Sequence, residues 1–423
     1  MTLVEERYEL AVERLQEMLA EQSVSEKYAD YFHRMAQFSM LLKENYDRIQ
    51  KGWLEQASLE ELRTANTGLY EDILGENYNR SYANPAYACK QFGLEKGRLL
   101  SFLYTELRCM IPYAYEGMLE ELVIRLELLI EVYGIFTCAQ EEKREVDEKE
   151  LQEALYWFVS DYSEPAAEWR VSTLVDPQNC FAAQIITQSD LTDIRYLYRF
   201  GEYISEDTEK MARYLNTLPQ ERVKMIADTY TEGYRIGFVK GNKDLGKKET
   251  VDVRFCLGFE RIVKAAISNF AKMGLKPTIY RASSSIFHKR GNFKIGYYGA
   301  IPNKQFDYDH KDDLALFLDR RLMNRKLEVL KQAYEVNKEK AARHAGPAVI
   351  ETFGEIPFAP ESKPEACSMN TEQQKLSAEY TGASSDIVYQ YINGEERSFT
   401  IIAFPVPEIG EKFEEIFDET VKI

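Results

Sequence analysis

The densest run of chemically able side chains in this 423-residue sequence is DYDHKDD, residues 307–313. Asp307, Asp309, His310 and Asp312 offer hard oxygens and one imidazole, a donor set that suits a divalent cation. These four are the binding candidates of the sequence. A structural reading competes with the chemical one, because the run directly precedes a long amphipathic stretch. There, aspartates cap a helix and complement its dipole. Neighbouring side chains on a short segment seldom converge on one centre, and no second ligand segment of fitting spacing accompanies them. Capping is the expected role.

Two weaker constellations follow. Gly241 to Lys248, GNKDLGKK, has the spacing of a phosphate-cradling loop. That device ends on Ser or Thr and opens a helix, whereas here Lys248 stands at that position and a strand-like segment follows. A hairpin loop is the simpler expectation. Ser283, Ser284 and Ser285 lie near His288, yet no Gly-x-Ser-x-Gly elbow or orienting acid accompanies them. His33 reads as a helix-face residue and His344 as a cation at a helix C-terminus. Residue chemistry alone therefore builds no catalytic or metal site.

The elements that would hold such residues differ between the two halves. Residues 1–228 read as an all-helical domain with apolar residues recurring at three- and four-residue steps. Ser58 with Glu61 forms a capped helix start, and residues 99–139 supply the core helix pair. The many tyrosines of this half read as core and groove fillers. Residues 229–423 read as a mostly parallel α/β sheet domain. GYRIGFV (233–239), TVDVRFCL (250–257), KPTIYRA (276–282), FKIGYYGAI (293–301), AVIETFG (348–354), DIVYQYI (386–392) and Phe399 to Phe404 are its strand candidates. Helices are expected at 259–275, at 313–343, near 371–380 and after Pro407. The helix after Pro407 is expected to end in solvent.

Bulk properties exclude several function classes. A net charge of -17 leaves no cationic excess for displacing counterions from a phosphate backbone, which argues against nucleic acid as a partner. No apolar run approaches the roughly 20 residues needed to span a bilayer, so no membrane partner is expected. The start MTLVEERYELAVERL is acidic and amphipathic, unlike a signal peptide. Six scattered cysteines without CxxC spacing read as thiols of a reducing cytoplasm.

Four segments carry a resemblance: VDVRFCLGFERIVKAAISNFAKMGLKPTIYRA, YYGAIPNKQFDYDHKDDLALFLDRRLMNRKLEVLKQAYE, HAGPAVIETFGEIPFAPESKPEA and ERSFTIIAFPVPEIGEKFEEIF. Together they resemble the amino-terminal α/β domain of the thermophilic metallo-aminopeptidases, the family of leucyl aminopeptidase and aminopeptidase T. Residues 1–225 are similar to the helical extension of its longer bacterial forms. The resemblance implies removal of N-terminal residues from peptides by two divalent metal ions, in a homodimer. It also implies that the metal ligands lie in a further, carboxy-terminal domain. No residue here matches them, so no catalytic or metal residue is carried over and no cofactor is expected in this chain. The expectation is the amino-terminal portion of such a protein, inactive alone. The alternative is a non-catalytic module that binds peptides or a partner.

Overall fold

The computed structural model describes residues 2–282, 285–287 and 295–422. From Leu3 to Lys240 the chain is a succession of helices joined by short turns. Local signals set several of their ends. Ser58 accepts from the Glu61 amide while the Glu61 carboxylate reaches back to Ser58, the reciprocal cap read in the sequence. Asn84 caps a helix that has Pro85 in its first turn, and Asp147 caps Glu148–Asp161. Helices Leu94–Arg108 and Leu119–Glu141 are buried on nearly every side, as the apolar density of residues 99–139 requires.

The sheet contains β1 (Thr250–Cys256), β2 (Lys276–Thr278), β3 (Tyr297–Tyr298), β4 (His344–Phe353) and β5 (Thr400–Pro405). Its order is β2-β1-β4-β5, and β3 pairs with the carboxy-terminal end of β1 beyond the reach of β2. All of these pairings are parallel. Helical region plus parallel α/β sheet is the fold class expected from the sequence.

Both faces of the sheet carry helices. Val251, Val253, Ala348, Ile350 and Phe404 enter a core with Gln220–Lys240, Glu260–Lys272 and Phe413–Lys422. The same core takes in Ala57, Leu62 and much of residues 180–238. A second core is built from residues 8–159 and receives Ile286, Phe317 and Leu322 from the later half. On the other face of the sheet, Ser163–Val175, Arg320–Val336 and Thr371–Tyr391 form a helical layer.

Several expected elements differ. GYRIGFV is the last third of helix Gln220–Lys240 rather than a strand. Its glycines, four apart, lie on one face and allow close approach to β5. A Cβ at Gly237 would come within 2.1 Å of Ser398 Oγ, and one at Gly233 within 3.3 Å of Thr400 Oγ1. DIVYQYI continues helix Thr371–Tyr391, whose Ile387 and Val388 pack with Val171, Val175 and Ala333. Helical packing outweighs their β propensity there. The expected helix 313–343 is divided into Asp313–Leu316, Arg320–Val336 and Lys338–Ala342.

The helix after Pro407 ends at exposed Lys422, as expected, yet it also packs on the sheet core. It runs Phe413–Lys422 and docks by one face, with Phe413 and Phe417 buried against Tyr214 and Phe404. Among the described residues no helix is long and apolar enough to cross a membrane.

Candidate ligand cavity above the sheet

A cavity of about 1570 Å³ opens on the sheet face opposite the main core. Arg254, Val349 and Ile401, neighbours across three strands, form its floor. Tyr334, Val388 and Tyr389 come from the helical layer above. The cavity reaches the carboxy-terminal ends of β1 and β4. The chain leaves β1 toward β2 but leaves β4 toward β5, so strand order reverses between them. Open parallel sheets hold ligands at such a crevice.

Charge within the cavity is unevenly placed. Arg254 is held by a bidentate pair with Asp252, a fully buried carboxylate that Tyr280 also reaches. Glu351, opposite Ala403, lines the cavity with Glu355 and Glu408 near the carboxy-terminal end of β5, where Lys304 lies 3.9 Å from Glu408; Arg397 and Lys243 line it near the amino-terminal end with Glu395. His344 begins β4 and is buried beside Thr250, so it is no helix-terminal cation; burial lowers its pKa to about 4. At the top of β1, Gly258 has φ 109 and donates its amide to Glu260, which also accepts from Tyr196 at 2.6 Å. Burial raises the Glu260 carboxyl to about 7.

The four binding candidates do not face one centre. Asp309 is buried and accepts from the Tyr78 hydroxyl, Gln305 and the Lys363 ammonium, each at 2.6–2.7 Å. His310 is buried with Nδ1 2.8 Å from Asp313 and Nε2 2.5 Å from the Ala83 carbonyl. Asp307 is exposed and Asp312 half-buried. The expected capping role falls elsewhere: Asn303 caps Lys304–Asp309, and Asp319 accepts from the Leu322 amide at the start of Arg320–Val336. Among the described residues no three His, Cys, Asp or Glu side chains gather as a metal-holding group.

Gly241 to Lys248 links a helix to β1 and is not a hairpin. Lys248 is buried, donating to the Ala342 carbonyl and Glu396, and Lys243 donates to the Arg397 carbonyl. These lysines tie the loop to the β5 approach, and the helix preceding it presents a C-terminus rather than the N-terminus a phosphate needs. His33 is exposed beside Gln37, as a helix-face residue should be. Ser283, Ser284 and His288 lie outside the described residues. Ser285 is buried and donates to Glu106 at 3.1 Å.

The buried charge centres escaped sequence reasoning. Arg281 pairs with Glu116 and Glu202, lining a second cavity of about 820 Å³ with Trp169, Tyr203 and Tyr297. Arg125 pairs with Glu106 and Glu121. Arg281 and Glu116 are 165 positions apart, and no local pattern marks such a pair. Comparison of the chain with family models, curated proteins and solved structures gives no match.

Proposed function

We infer that this chain is the peptide-holding, non-catalytic portion of a metal-dependent aminopeptidase-like protein. What supports the reading is the cavity of about 1570 Å³ at the switch point of a parallel sheet, with Val349 and Ile401 beside Arg254 on its floor and opposite charges at its two ends. Pockets of this kind take small or extended ligands through apolar contact and a few placed charges. A zwitterionic peptide fits such a charge layout. The four resembling segments supply the metallo-aminopeptidase part of the reading and put the metal ligands in a different domain.

The purified chain is expected to bind short peptides but not to hydrolyse leucyl-p-nitroanilide, with or without added cobalt or zinc. Robust turnover abolished by a chelator would overturn the non-catalytic part. Absence of any peptide binding would overturn the peptide-holding part.

A further inference from the structure

The outer edge of β5 carries backbone groups that β4 does not use. Ser398 donates its amide to Ala345 and Val406 donates to Phe353. Even-numbered residues therefore turn their backbone groups toward β4, and alternation turns those of Phe399, Ile401 and Ala403 outward. No other strand pairs with that edge among the described residues. The outward residues are also apolar and uncovered: Phe399 is 65% and Ile401 50% exposed. Ala403 is exposed, and Tyr389 beside them is 56% exposed. Exposed edge strands usually carry lysines, prolines or bulges that block pairing. This one has its first proline at Pro405, the last residue of the strand.

We propose that an extended peptide adds to β5 as an antiparallel strand, with its free amino terminus at the Glu351, Glu355 and Glu408 end of the cavity. The charge layout selects both the occupant and its direction. Glu351, Glu355 and Glu408 line the cavity near the carboxy-terminal end of β5 with one lysine, Lys304, which lies 3.9 Å from Glu408, while Arg397 and Lys243 line the other end with Glu395. An antiparallel peptide brings its ammonium to the carboxylates and its carboxylate to Arg397; a parallel one would reverse both contacts. At about 3.4 Å per residue, six or seven residues bridge the two ends. Backbone bonds to the edge hold the peptide, and alternate side chains enter the cavity beside Ile401 and Tyr389. The inference rests on the peptide-holding reading and adds a mode of binding and a polarity to it.

Fluorescence anisotropy on the full chain tests it with one probe, Val-Thr-Val-Thr-Val-Thr-Val-Lys labelled with fluorescein on the lysine side chain. Three changes are expected to weaken binding. N-methylation of alternate probe amides, which removes the donors facing β5, should cost about tenfold or more. Acetylating the probe's amino terminus should cost about threefold to tenfold. Ile401→Pro deletes an outward N–H that β4 does not use, and it should cost about tenfold while the melting temperature holds. A Glu351→Gln/Glu355→Gln chain should bind free and acetylated probes alike. Binding indifferent to N-methylation and to Ile401→Pro would place the peptide elsewhere in the cavity, overturning strand addition but not peptide holding. Acetylation that leaves affinity unchanged or raises it overturns the polarity. A concentration-dependent dimer in sedimentation equilibrium, lost in Ile401→Pro, would assign the edge to a second copy instead. Failure of every probe to bind removes both readings.

Discussion

Two residues show how burial sets chemistry here. The fold raises Glu260 from 4.5 to about 7, so the folded chain favours its protonated form. Its contribution is fully present below pH 4.5 and is lost as pH rises through about 7. Glu260→Gln keeps a neutral acceptor for Tyr196 and Gly258 at every pH. Relative to the parent chain, the variant should gain on the order of 2–3 kcal/mol between pH 5 and pH 8, at about 1.36 kcal/mol per pH unit. Urea unfolding midpoints at the two pH values measure this, and parallel behaviour of the two chains would refute it. Arg281 presents the opposite case, a buried cation between two carboxylates. Arg281→Met leaves Glu116 and Glu202 uncompensated and is expected to cost about 3–5 kcal/mol. Adding Glu116→Gln and Glu202→Gln should restore most of that loss in the same unfolding assay; a triple variant as unstable as the single one would put the cost in packing rather than charge.

At the scale of elements, β4 and β5 depend on a close approach. Gly346 has φ 103, and a Cβ there would lie 2.0 Å from the Ser398 carbonyl oxygen. Gly346→Ala should destabilise by about 1–3 kcal/mol through backbone strain and displacement of Ser398. A midpoint within error of the parent would show that the approach is dispensable. The strands β1, β4 and β5 and the helix Glu260–Lys272 were legible because each is a short apolar run bounded by turn residues or a clear amphipathic repeat. GYRIGFV was not legible. Its two glycines break the apolar rhythm of a helix for the sake of contact with Ser398 and Thr400, residues more than 150 positions away. DIVYQYI failed similarly, since its β-branched residues fill a helix–helix interface with Val171 and Ala333. The binding candidates of the acidic run could be picked out as reactive types, but not their destinations. His310 meets Asp313 three positions on, but Asp309 belongs to Lys363 and Tyr78 and His310 also to Ala83, which tertiary folding rather than spacing brings near.

For the whole molecule, the sheet core draws on both sequence halves. Tyr196, Leu215 and Ile226 of the first half share a core with Phe270 and the sheet, while Phe317 and Leu322 of the second half enter the helical core. A chain beginning at residue 229 lacks residues 180–228 from that core. It should show exposed apolar surface by dye binding and poor near-ultraviolet dichroism, whereas a chain beginning at residue 180 should regain both. Equal behaviour of the two fragments would show that residues 180–228 add little to the sheet. Sequence by itself determined the fold class, several helix caps, the placement of the sheet in the second half and the excess of negative charge, because propensity, periodicity and composition are local or summed quantities. Tertiary structure alone decided which charges are buried together, which apolar face of β5 stays uncovered, and where a cavity opens. Those depend on contacts between residues a hundred or more positions apart, whose meeting no spacing along the chain encodes.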